Sequence, residues 1–178
     1  MNKIFILFSF LISFNFYAQS DIKAKLQPIK NNYKRINSIK KWKNIKKIEL
    51  FHSSEGGEAI LYLSDNGLEK VTATYYGETG KMTTEYYLDD YQKLSFVFEV
   101  ITDYKMHISQ ENFTTDNAEI TEIRNYFSDG LLIKQIHSKK DKTATENYLK
   151  TETIRIDSGF INLLIETLNQ KYKNHDRN

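Results

Sequence analysis

The chain has 178 residues and a formal net charge of +2, with no cysteine, one proline, seven glycines and 13% aromatic residues. The missing cysteine excludes a disulfide scaffold and a thiol nucleophile, and the aromatic content with so little proline and glycine excludes a disordered linker. Charge is uneven: residues 20–48 hold ten Lys and Arg against Asp21 alone (net +9), while residues 49–129 hold five against sixteen acidic residues (net −11), a body that would repel a nucleic-acid backbone.

Residues 1–20, MNKIFILFSFLISFNFYAQS, read as a secretory signal. Lys3 gives the positive start, Ile4 to Phe16 the apolar run, and Ala18 a small residue before a cut that leaves Gln19 as the new N-terminus. The run is too short to span a bilayer comfortably, and no cysteine follows it to be acylated. Cleavage leaves a single domain, 19–178, with no integral membrane span. Its predicted location is the periplasm or the extracellular space.

The domain opens on an amphipathic helix. Ile22, Leu26, Ile29, Tyr33 and Ile36 recur at spacings of four, three, four and three, and lysines fill much of the remainder. Pro28 suits the first turn of a helix starting near Gln27, with the residues before it extended. The apolar stripe is read as packing on its own domain. A basic amphipathic helix also has the composition of one that lies on a membrane surface.

From Ile48 the period becomes two. IELFHS, EAILYL, LEKVTATYY, MTTEYYL, KLSFVFEV, EITEIRNYF and LLIKQIH are rich in β-branched and aromatic residues. In KLSFVFEV, Leu94, Phe96, Phe98 and Val100 point one way and Ser95 and Glu99 the other, with Val97 an exception. Turn signals separate the runs: SDNG at 64–67, GETG at 77–80, DDYQ at 89–92 and SDG at 128–130. Such short links force antiparallel neighbours, so the prediction is a meander of about six or seven strands. Residues 138–156 are polar and carry no clear period. DSGFINLLIETLNQKY then predicts a helix capped by Asp157 or Ser158, with Ile161, Leu164, Ile165, Leu168 and Tyr172 as its apolar face. The fold class is α+β, with the N-terminal helix, the meander and a C-terminal helix packed on the sheet's apolar side.

Few motifs carry chemistry. GETGKMT superficially resembles a phosphate loop, but only Glu78 and Thr79 separate Gly77 from Gly80-Lys81, Met82 stands where a magnesium-binding hydroxyl belongs, and a strand follows. It is read as a turn in which glycine supplies a positive φ. His52, His107, His137 and His175 lack metal-ligand spacing, although His52 and His137 could converge in the fold. No serine lies in a nucleophile elbow, and no cofactor or metal is implied. Glu55 and Glu58 form a conceivable acid–base pair, against which EGGE reads as a bulge or turn leading into a strand. Tyr75, Tyr76, Tyr86 and Tyr87 flank GETG on two strands. One of each pair is expected in the core, and the other two form either an exposed aromatic ladder for a partner or a stabilising cross-strand pair.

KRINSIKKW, SSEGGEAILYL, TYYGETGKMTTEYYLDD, KLSFVFE and IRNYFSDGLLIKQI, over residues 30–137, together resemble a group of exported, periplasmic proteins of Gram-negative bacteria of the Bacteroidota type. EGGE and YYGETGK followed by EYY are the most specific pieces. The resemblance implies a similar small periplasmic domain; the group lends no established activity, ligand or catalytic residue. The functional expectation is a non-catalytic binding or interaction module whose partner is an envelope protein, a glycan or a lipid. A carboxylate-dependent hydrolase of the envelope is the alternative.

Overall fold

The computed structural model describes residues 21–51, 53–139 and 144–175, with 170–175 as backbone alone. The expected leader with its cut between Ala18 and Gln19, and His52, lie outside the described residues. A helix, α1 (21–37), precedes seven strands: β1 (Asn44–Leu50), β2 (Gly57–Ser64), β3 (Gly67–Gly77), β4 (Gly80–Leu88), β5 (Leu94–Asp103), β6 (Glu119–Ser128) and β7 (Leu131–His137). A long helix, α2 (Glu146–His175), follows them. Each strand pairs with the one before it, all antiparallel, in the order β1 to β7. The α+β meander is as predicted.

The turn chemistry places the links. Gly67 (φ +113°), Asp129 (φ +54°) and Gly130 (φ +78°) turn the chain after β2 and β6 in the left-handed region, where glycine and aspartate are tolerated best. Asp89 holds the β4–β5 link by accepting hydrogen bonds from the Tyr91 and Lys93 amides, each at 2.9 Å.

GETG is a two-residue hairpin with Gly77 directly opposite Gly80, but its glycines serve a different purpose from the one expected. Neither has a positive φ. Gly80 is required by close approach, since a Cβ there would stand 2.4 Å from the Thr102 carbonyl oxygen of β5. Gly80→Ala is expected to cost about 2 kcal/mol by forcing β4 off β5. Exposed Lys81, next in sequence, should change stability by no more than about 0.5 kcal/mol as Lys81→Ala. Urea melts of the two variants check both values, and equal midpoints would refute the close-approach account.

The two helices cover opposite faces of the sheet. Ile29 and Ile36 of α1 cluster with Tyr87 and Phe96. Ile156, Phe160 and Leu163 of α2 cluster with Leu61, Val71, Tyr86 and Val97. Tyr86 and Tyr87 are sequence neighbours and therefore point to opposite faces, yet both are buried. The same arrangement explains Val97: it lies in the second core on the α2 side. A one-residue register shift at Tyr87/Leu88 turns Leu94 onto that side as well.

Both helices differ in detail from expectation. α1 is already helical at residue 21 and continues through Pro28, at the cost of the amide that would have bonded the Ala24 carbonyl. Pairs one turn apart brace the segment, Lys25–Asp21 and Gln27–Asn31, each at 2.9 Å. α2 starts at Glu146, inside the stretch without a clear period. Thr145 caps it: its hydroxyl accepts from the Tyr148 amide at 3.3 Å and its carbonyl from Leu149 at 3.0 Å. Asp157 and Ser158 are thus mid-helix and cap nothing. The buried face is Ile156, Phe160 and Leu163, whereas Ile161, Ile165 and Leu168 are about half exposed. The helix carries two apolar stripes; of the expected face, Leu164 packs partly buried against the core, the other three belong to the outer stripe, and the Tyr172 side chain lies outside the described residues.

Candidate functional site

Three constellations combine chemistry-bearing side chains. The first is a buried polar network under α2. Glu99 is 2% exposed and Asn125 fully buried in the sheet. Arg155 of α2 forks onto Glu99 with two hydrogen bonds of 3.0 Å and also reaches Glu152 at 3.0 Å. Burial opposes the charge on Arg155, yet the bonds to Glu99 and Glu152 hold its pKa above the ordinary value. Asn125 donates to Glu99 at 2.8 Å, Gln135 donates to Asn125 at 2.7 Å, and Tyr148 donates to Gln135 at 2.6 Å. Arg155 bridges Glu99 of β5 and Glu152 of its own helix, so the network pins α2 to β5, β6 and β7. Beside it runs an open cleft of about 820 Å³ whose lining includes Phe51, Tyr75, Met82, Leu163 and Ile165.

The second is a surface trio. His107 Nε2 meets Glu78 Oε2 at 2.8 Å and its Nδ1 meets Ser109 Oγ at 2.7 Å. The order serine, imidazole, carboxylate is that of a hydrolase triad. Here it lies on open surface, with the His107 and Glu78 side chains 37% and 54% exposed. The Ser109 amide also donates to Nδ1, at 3.1 Å, and the Ile108 amide to the Glu78 carbonyl at 2.9 Å. The trio fastens the 104–118 link to the GETG turn.

The third is a groove of about 310 Å³ on the opposite face. α1 supplies Ile29, Lys30, Tyr33 and Lys34; β5 supplies Phe96 and Phe98; β6 supplies Arg124 and Tyr126. Helical spacing aligns Ile29 with Tyr33 and Lys30 with Lys34, and the period of two puts Arg124 and Tyr126 on one side of β6. The floor is aromatic: Phe96 lies 5.4 Å from Tyr33 and 5.1 Å from Tyr126, ring centre to ring centre. Burial pushes the Tyr126 phenol above its ordinary pKa, which leaves it a neutral donor. Arg124 lies 5.4 Å over the Phe98 ring and 2.5 Å from Glu122. Lys30 and Lys34 have no carboxylate partner among the described residues.

α1 is seated beside this groove by its own clamp. Arg35 donates to both oxygens of buried Glu69, at 3.1 and 2.6 Å, and Ser64 donates to the same carboxylate at 2.6 Å. Asn32 donates to the Leu88 carbonyl at 2.8 Å. Burial raises the Glu69 pKa, but the bonds from Arg35 and Ser64 outweigh it and leave the value below 4.5. A depressed carboxyl stabilises the fold above its unfolded pKa and loses that contribution as pH falls through the folded one. Glu69→Gln is therefore expected to be about 1 kcal/mol less stable than the parent at pH 7, a figure lowered for the solvent access of Arg35. The gap should narrow below about pH 4.5. Urea melts at pH 7, 5 and 3.5 test this, and a constant gap would refute it.

The sequence-predicted residues are dispersed. Tyr86 and Tyr87 belong to the two cores, Tyr75 lines the α2-side cleft, and Tyr76 is 38% exposed. The register sets Tyr75 opposite Met82 and Tyr86 opposite Val71, so these tyrosines do not pair across the hairpin and make no ladder. Glu58 pairs with Lys47 at 2.6 Å. Glu55 is exposed on the turn before β2, where Gly56 has φ +71°; EGGE is the turn leading into a strand. His137 lies against Gln135 at 3.1 Å. No group of three or more metal-ligating side chains occurs among the described residues.

The groove residues Lys30, Lys34, Phe98, Arg124 and Tyr126 were not singled out from sequence. Their signal is faint: a lysine pair four apart beside an apolar pair four apart. Among the described residues no helix is long and apolar enough to cross a membrane. No protein-family model, curated protein or solved structure matches the chain.

Proposed function

We propose that the chain is an exported, non-catalytic binding module of the cell envelope whose ligand site is the groove between α1 and the sheet. The observation that carries this reading is the groove itself. Elsewhere on that face Ile36 closes down on the core, but between Tyr33 and Tyr126 an aromatic-floored recess stays open to solvent. Ligand sites are commonly recesses of this kind, mostly apolar with a few polar groups that fix orientation. The expected leader at residues 1–18 supports an envelope location.

Native mass spectrometry of the chain purified from its host's envelope tests the proposal. The expected result is a chain beginning at Gln19 with a small molecule bound, recoverable by organic extraction. A chain of bare mass, or one retaining Met1 in the cytoplasmic fraction, would overturn it.

A further inference from the structure

We infer that the groove takes an anionic amphiphile, a single carboxylate head on an apolar tail. The inference rests on the groove being the binding site. It follows from how the walls divide the chemistry. The floor offers the rings of Phe96, Phe98 and Tyr126, surfaces that an acyl or aromatic body would cover. The rim offers cations from both sides, Lys30 and Lys34 on α1 and Arg124 on β6. The carboxylates that neutralise the basic segment lie elsewhere: Arg35 pairs with Glu69, Lys43 with Asp65 and Lys47 with Glu58. Glu122 engages Arg124 on a pair more than a third exposed, so a ligand carboxylate can share the guanidinium. A cationic head would meet Lys30, Lys34 and Arg124, and a neutral head would leave the two lysines uncompensated. A cavity of about 310 Å³ lies at the small end of ligand sites, which favours one chain over a two-chain lipid.

The fluorescent anion 8-anilinonaphthalene-1-sulfonate serves as reporter, displaced by dodecanoate or by dodecyltrimethylammonium, which share a tail length and differ in head charge. Dodecanoate is expected to displace the reporter, and the cationic amphiphile to do so at least tenfold less well. Lys30→Gln/Lys34→Gln should weaken dodecanoate about tenfold. Lys40→Gln/Lys41→Gln removes the same charge from the 38–43 link, away from the groove lining, and should leave affinity within about twofold. Phe98→Ala should weaken the reporter and dodecanoate together, provided its melt shows it folded; the lysine variants do not depend on that.

Equal displacement by both heads would overturn the anion inference and leave the binding module standing. No reporter or amphiphile binding at all would remove the groove reading with it. Equal losses in the two lysine pairs would also overturn the inference, since the effect would then be one of overall charge. So would binding confined to anionic vesicles and indifferent to Phe98→Ala.

Discussion

Arg155→Ala is expected to destabilise the protein by about 3 kcal/mol, the lower end of the range for breaking a buried ion pair from one side. The lower end applies because the Arg155 side chain is 45% exposed while Glu99 is 3% exposed. The loss lies on the Glu99 side. Without Arg155 its carboxylate keeps only the Asn125 amide at 2.8 Å, too little for a charge so far from water, and it must take up a proton to stay folded. The variant's stability should therefore fall more steeply with rising pH than the parent's. Removing both charges as Glu99→Leu/Arg155→Met should recover most of the loss, because a matched apolar pair leaves no uncompensated charge. Urea unfolding of the two variants at pH 5 and 8 decides it. A double variant no better than the single one would show that the network holds α2 by its geometry and not through charge compensation.

Leu163→Ala is expected to cost about 3 kcal/mol and Ile161→Ala under 1 kcal/mol. Leu163 is 2% exposed in the cluster with Tyr86, Ile156 and Phe160, so truncation loses transfer energy and leaves a cavity. Ile161, two residues earlier and equally apolar, is 55% exposed. Equilibrium unfolding of each measures the contrast, and a reversed order would mean that α2 turns its other stripe to the sheet.

That contrast marks where the sequence stops being informative. The strand runs and most of their turns were legible because alternation and loop chemistry are local signals, although β1 begins at Asn44, ahead of the expected Ile48. Even the covering of both faces had left a trace: YY at 86–87 and FVF at 96–98 break a clean alternation, as strands buried on both sides do. α2 was harder. Its residues 154, 161, 165 and 168 form as regular a stripe as 156, 160, 163 and 167, and only the docking on β7 and β1 chooses between them. α1 misled through Pro28, where tertiary packing of Ile29 and Ile36 overrides a local helix breaker. The groove was least legible. Lys34 and Arg124 lie ninety residues apart in sequence, and no local pattern encodes the line along which α1 crosses the sheet.

The unbroken strand order has a kinetic meaning. With every strand bonded to its predecessor, and one longer link at 104–118, the ladder can grow by one hairpin at a time. Every closure but that of β5 with β6 then involves a short loop and little lost chain entropy. Contact order is low for a sheet of this size, which places the chain toward the fast side of β-rich folders. A polypeptide emerging from its N-terminus could pair each strand as the next appears. α1 is the exception. It is made first, yet Ile29 and Ile36 pack on rings from β4 and β5, so its apolar stripe must wait about fifty residues for a surface to bury it.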